Sequence, residues 1–149
     1  MGLVRNWDKS DKFYSVDPGK DHYAWALWDG TKLHSCGLER NVDHSQIGLL
    51  YLVVQYLVIE KMVIYPGVRA EDPNDLLCVA FISGQISASF GKYRLVEART
   101  WKGQVSKEIT KQRVIQILGS DPCAGMPKKD SNHVYDAIGI GLWWQGRYK

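Results

Sequence analysis

A chain of 149 residues with 45% hydrophobic content is long enough to bury one sizeable core, and a single domain over 1–149 is expected. Its net charge of +3 is mildly basic, which permits a polyanionic partner without requiring one. Three scattered cysteines, Cys36, Cys78 and Cys123, have no CxxC spacing, so they imply neither a disulfide framework nor a zinc site and suit a reducing cytosol.

Residues 1–12 are polar apart from Leu3, Val4 and Trp7 and read as a loose arm without the apolar run of a signal peptide, so a cytoplasmic location is expected. Phe13 to Val16 predicts a short strand that ends in a carboxylate, Asp17, with the chain reversing at Pro18-Gly19. His22 to Trp28 predicts the returning strand. Tyr23, Trp25 and Leu27 fall on one face and Ala24, Ala26 and Trp28 on the other, so both faces are apolar and both should be covered. An aspartate at such a turn either bonds its own backbone or serves a cleft, and the fragment leaves both open. Asp29-Gly30 then turns into a third strand over Thr31 to Gly37.

The most apolar stretch, Ile47 to Ile59, is interrupted by Gln55 and is shorter than the roughly 20 residues that cross a bilayer. Its first part, Ser45 to Val53, predicts a short helix, and Tyr56 to Ile59 a buried strand that also ends in an acid, Glu60. Asp72-Pro73 predicts a helix start, with the helix running to about Phe90 and carrying the small residues Gly84, Ser87 and Ala88. Tyr93 to Ala98 predicts a strand, Arg99 to Gly103 a loop, and Ser106 the cap of a helix that stops before Gly119. A last helix is expected from about Ser131 to Gln145. This order predicts an α/β domain with a mixed sheet, an antiparallel hairpin layer followed by parallel strands reached through helices.

The last helix carries His133 and Asp136, three residues apart and so on one face. Alone, such a pair is weak evidence, since it is more often a solvated surface than a ligand set. With Asp17 and Glu60 at strand ends it acquires another meaning. Carboxylates gathered at one sheet edge repel unless a cation lies between them, and oxygen ligands with one imidazole suit a divalent ion. Nucleases hold two Mg²⁺ or Mn²⁺ ions in this way, to activate water and stabilise the departing oxygen.

Four stretches in this order and spacing, VDPGKDHYAWAL, LVIEK, ARTWKGQVSK and HVYDAIGIG, resemble the RuvC family of Holliday-junction resolvases, within the ribonuclease H-like and retroviral-integrase superfamily. The resemblance covers nearly the whole chain, and small members of this kind are similar to those carried by bacteriophages. It implies a ribonuclease H-like, mixed five-stranded sheet flanked by helices. It also implies a Mg²⁺- or Mn²⁺-dependent endonuclease that cuts four-way junctions and other branched DNA as a homodimer. Asp17, Glu60, His133 and Asp136 match the family's metal-binding and catalytic positions, where the family accepts Asp or His at His133. Lys102 matches its catalytic-loop lysine, suited to the scissile phosphate or to transition-state charge. Lys107 and Lys111, with Lys61 and Arg69, are expected along the DNA backbone. Two departures stand out. Val63 occupies the place of the bacterial aromatic wedge, with Tyr65 the nearest aromatic, and the segment between Glu39 and Gln55 is short.

Two other classes compete. A non-catalytic nucleic-acid binder on the same fold would gain nothing from holding repelling acids together. An actin-like ATPase module shares an Asp-x-Gly hairpin but needs a second domain to enclose its nucleotide, for which this chain is too short.

Overall fold

The computed structural model describes residues 11–41, 54, 56–67 and 72–149. Five strands, β1 (Lys12–Pro18), β2 (His22–Asp29), β3 (Lys32–Arg40), β4 (Tyr56–Lys61) and β5 (Lys92–Glu97), form one mixed sheet in the order β3-β2-β1-β4-β5. The first three are antiparallel neighbours, whereas β4 lies parallel to both β1 and β5. This is the mixed five-stranded sheet of the ribonuclease H-like class. Four helices accompany it among the described residues: α1 (Pro73–Ala88), α2 (Ala98–Trp101), α3 (Lys107–Leu118) and α4 (Lys128–Trp144).

Both sheet faces are covered, as the doubly apolar β2 requires. On one face Ala24, Ala26 and Trp28 join Phe13, Val58 and the α4 residues Val134, Ala137, Ile138 and Ile140 in one core. On the other, Tyr14, Val16, Tyr23, Leu57 and Ile59 pack on Ile82 and Ile86 of α1, with Trp25 and Leu27 at the margin. Local chemistry starts the helices where expected. Asp72 accepts from the Asn74 backbone N–H at 3.0 Å ahead of Pro73, and Ser106 accepts from that of Ile109 at 3.3 Å.

The boundaries differ in three informative places. Strand β1 does not stop before Asp17; it runs on to Pro18, paired with Tyr23, because β2 continues the ladder past the acid. The turn itself is held from outside, since Asn41 donates its side-chain amide to the carbonyls of Gly19 (2.9 Å) and Lys20 (2.5 Å). The stretch expected as a loop after β5 contains α2, and α4 starts about one turn earlier than its sequence signal. The predicted helix over 45–53, Arg69 and most of the N-terminal arm lie outside the described residues, while Lys12 already belongs to β1.

The register of α4 on the sheet sets the site. Ser15 donates its hydroxyl to the Ala137 carbonyl at 2.6 Å and accepts the Trp28 indole N–H at 2.8 Å, all within the buried core. A side chain on Gly141 would collide with that Trp28 indole, so only glycine lets the helix lie this close. Moving two residues forward along β1 from Ser15, or four back along α4 from Ala137, covers about 6–7 Å in either element. That step leads to Asp17 on the strand and His133 on the helix. Among the described residues, no helix is long and apolar enough to cross a membrane.

Candidate active site

Asp17 and Glu60 are neighbours by register. Val16 pairs with Ile59 in the parallel β1–β4 ladder, so the next residue of each strand is the acid. Strand alternation turns Asp17, like Ser15, and Glu60, like Val58, toward the face that α4 covers. There His133 and Asp136 meet them. His133 Nδ1 lies 3.3 Å from Asp17 Oδ2, and Lys102, entering from the end of α2, donates to Asp136 Oδ2 at 3.0 Å. The Trp101 indole N–H donates to Glu60 Oε2 at 2.7 Å. Five sequence-predicted residues, Asp17, Glu60, Lys102, His133 and Asp136, are therefore brought into one neighbourhood.

The electrostatics of this neighbourhood are strained toward neutrality. Burial, reinforced by the Asp17 charge, pushes the Glu60 carboxyl up to about 7. Burial and then Asp17 raise Asp136 to about 6, against the opposing pull of Lys102. The hydrogen bond to Asp17 raises His133 above the ordinary imidazole value, outweighing burial and the repulsion from Lys107. Burial depresses Lys102, yet Asp136 and Glu60 together leave it above its usual value. One ammonium thus faces three carboxylates.

Among the described residues, no three His, Cys, Asp or Glu side chains are grouped closely enough to hold a metal ion as they stand, and Lys102 and Trp101 each bond one of the acids. The donor set nevertheless fits a hard divalent cation. Asp136 is 6% exposed and its Oδ1 is buried without a hydrogen-bond partner among the described residues, an arrangement that costs free energy until some positive group approaches. Carboxylate oxygens with one imidazole nitrogen are ligands that Mg²⁺ tolerates and Mn²⁺ accepts readily.

The remaining cations divide. Lys107 opens α3, is exposed, and is close enough to act on His133. Lys111 lies one turn further along α3, its ammonium 5.8 Å from the Tyr135 ring centroid. Lys61 is not with the acids: one residue past Glu60, it lies on the opposite face and lines a groove of about 380 Å³ between α1 and β5. Tyr65 is pinned under the Arg99 guanidinium, 3.6 Å from its ring centroid, and its hydroxyl is buried. The exposed apolar residue beyond Glu60 is instead Ile64.

No family model and no curated protein sequence matches the chain. Solved structures do. Thermus thermophilus RuvC in complex with a Holliday junction substrate superposes with a TM-score of 0.66 at 15% identity, over 92% of this chain and 97% of that one. The fold is that of RuvC. A second Thermus thermophilus RuvC structure matches at a TM-score of 0.59 and 16% identity, covering 88% of this chain and 91% of the other. The yeast mitochondrial Holliday junction resolvase Ydc2 matches at 0.59 and 10% identity, covering 93% and 80%. Identities this low establish the RuvC fold and leave the chemistry to the side chains.

Trp101 is a site residue that sequence reasoning does not single out, because core packing accounts for a tryptophan equally well. Its one visible signal is adjacency to Lys102 in ARTWK. Cys36 and Cys123, scattered in sequence, also prove to be neighbours. They meet between β3 and the loop before α4, where a hydrogen bond from Cys123 holds the Cys36 thiol below its usual value.

Proposed function

We propose that this RuvC-fold chain is a divalent-metal-dependent, structure-selective endonuclease that resolves four-way DNA junctions, and other branched DNA, by paired phosphodiester hydrolysis. The observation that carries the reading is the meeting of Asp17, Glu60 and Asp136, from two parallel strand ends and one helix, with a buried Asp136 oxygen that has no partner among the described residues. Asp17, Glu60, His133 and Asp136 would hold Mg²⁺ or Mn²⁺, which when bound supplies an activated water and charge stabilisation for the departing oxygen. Lys102 balances part of the negative charge in its absence and, once released from Asp136, offers its ammonium to the scissile phosphate. Lys107 and Lys111 extend that positive edge along α3 as backbone contacts, with Arg69 a further candidate. Lys61 serves the opposite face.

A homodimer supports paired cuts, because a four-way junction has near two-fold symmetry and needs two sites in matching orientation. The surface that fits a second copy is the groove between α1 and β5, lined by Tyr93 and Leu95, each 50% exposed, together with Leu77 and Phe81 of α1, each 67% exposed. Ala80, Gly84 and Ala88 on the same helix allow close approach of the partner. The expected setting is the cytoplasm of a bacterial or phage-infected cell, with residues 1–149 acting as one nuclease domain. The deciding experiment is incubation with an end-labelled four-way junction and Mg²⁺ or Mn²⁺, with EDTA and Asp17→Asn as controls. Symmetric nicks that need both the ion and Asp17 are expected. Intact junction under every condition, despite binding, would favour the non-catalytic alternative.

A further inference from the structure

Adjacent residues at the end of α2 reach two different acids: Lys102 the buried Asp136, and Trp101 the strand-end Glu60. The two contacts differ in kind. Lys102 brings charge, whereas the indole is a neutral group that can only donate. Its 2.7 Å bond fixes one carboxylate oxygen of Glu60 and leaves the negative charge and the second oxygen for another partner. A cation in the same place would compete with an incoming metal; an indole N–H does not.

The ring that carries this donor is itself locked. Trp101 is 3% exposed, and its indole lies against Gly139, where a methyl group would come within 2.5 Å of Cζ3. The Tyr148 ring lies edge-on to it at 5.4 Å between centroids, with Tyr148 tied back to α4 through the Leu142 carbonyl, and the Lys102 ammonium lies 5.0 Å from the ring centroid. Gly139 stands three residues after Asp136, on the same side of α4. The helix that presents His133 and Asp136 therefore also carries the notch in which the tryptophan sits.

From these contacts we infer that Trp101 is a positioning residue for Glu60, holding that carboxylate in the orientation in which it receives a divalent ion. The inference rests on the proposed role of Glu60 in the metal site. Partners that orient a metal ligand typically change metal affinity or activity by about 10- to 100-fold when removed. A tryptophan serving only to fill the core would give no such effect, provided the ring volume is kept.

Trp101→Phe keeps an aromatic ring and deletes the donor, with some loss of ring volume beside Gly139, so indole spectra separate the donor from the packing. In the DNA-free protein, Mn²⁺ affinity measured by titration calorimetry should fall by about 10-fold or more, while junction affinity in EDTA stays at the wild-type level. Gly139→Ala, which pushes the ring off its seat without touching Glu60, should do the same. Indole ¹H–¹⁵N spectra give a reading that needs no turnover. The resonance absent from Trp101→Phe should be the one that moves in Glu60→Gln and on adding Mg²⁺ to the wild type. Should Trp101→Phe not fold, assignment of that resonance in the wild type keeps the Glu60→Gln comparison intact. An indole signal unmoved by Glu60→Gln, or wild-type Mn²⁺ affinity in Trp101→Phe, overturns the inference while leaving the metal site standing. Junction cleavage by Glu60→Gln at the wild-type rate would instead remove its premise.

Discussion

Replacing Glu60 by glutamine should make the metal-free protein more stable while abolishing cleavage. In the folded chain the carboxyl titrates near 7 instead of 4.5, chiefly because burial and the Asp17 charge disfavour its ionised form. Below about pH 4.5 the group is protonated whether folded or not and contributes nothing. As pH rises, the unfolded chain loses its proton first, and stability declines until the folded group also ionises near 7. A difference of about 2.5 pH units at about 1.36 kcal/mol each sets a ceiling of about 3 kcal/mol. The glutamine amide would be a weaker acceptor for the Trp101 indole and no partner for the Lys102 charge, which brings the expected gain at pH 8 to about 2 kcal/mol. For a chain of this size that is roughly 4–8 °C in Tm. Urea unfolding in EDTA between pH 4.5 and 8 measures it. The wild type should lose stability across that range, and Glu60→Gln should lose less, since Asp136 and His133 in the same site still titrate. Added Mn²⁺ should restore the wild type by mass action and the variant much less. A variant less stable than the wild type at pH 8 in EDTA, with the same pH slope, would refute the claim that the acids repel.

Other substitutions test the cations, the imidazole and the dimer surface separately. Lys107→Ala and Lys111→Ala should each weaken junction binding and reduce its salt dependence by about one ion, whereas Lys102→Ala should lower the cleavage rate more than the affinity; equal losses for all three would remove Lys102 from the chemistry. With an imidazole among the ligands, activity should be higher with Mn²⁺ than with Mg²⁺ at equal concentration. Because the Asp17 hydrogen bond raises His133, the acid limb at sub-saturating metal should fall above the ordinary imidazole value, and His133→Asp should move it lower. If His133→Ala cleaves normally with either ion, the ligand set reduces to Asp17, Glu60 and Asp136. Phe81→Asp should yield a monomer by light scattering and uncouple the paired nicks, and a wild type that is monomeric at micromolar concentration even on junction DNA would dismiss the dimer.

Much of the fold is legible in the sequence because its signals are local. The Pro-Gly turn, the two-faced apolarity of β2, the apolar run into Glu60, and the capping residues Asp72 and Ser106 each act within a few residues of themselves. The two strand-end acids stand out for the same reason, since each closes a run that must be buried. Strand alternation even separates Glu60 from Lys61, although charge alone groups that lysine with the DNA contacts. What the sequence does not state is which groups touch. The Ser15–Ala137 bond that sets α4 against β1 joins residues 122 positions apart, and Trp101 meets Glu60 across 41. Those pairings follow from how closely α4 can settle on the sheet, which Gly141 permits, and on Trp101, which Gly139 permits, each by lacking a side chain. Burial then decides the charge states, pushing Glu60 and Asp136 upward by an amount no composition or spacing encodes, because it depends on the water that the finished fold excludes.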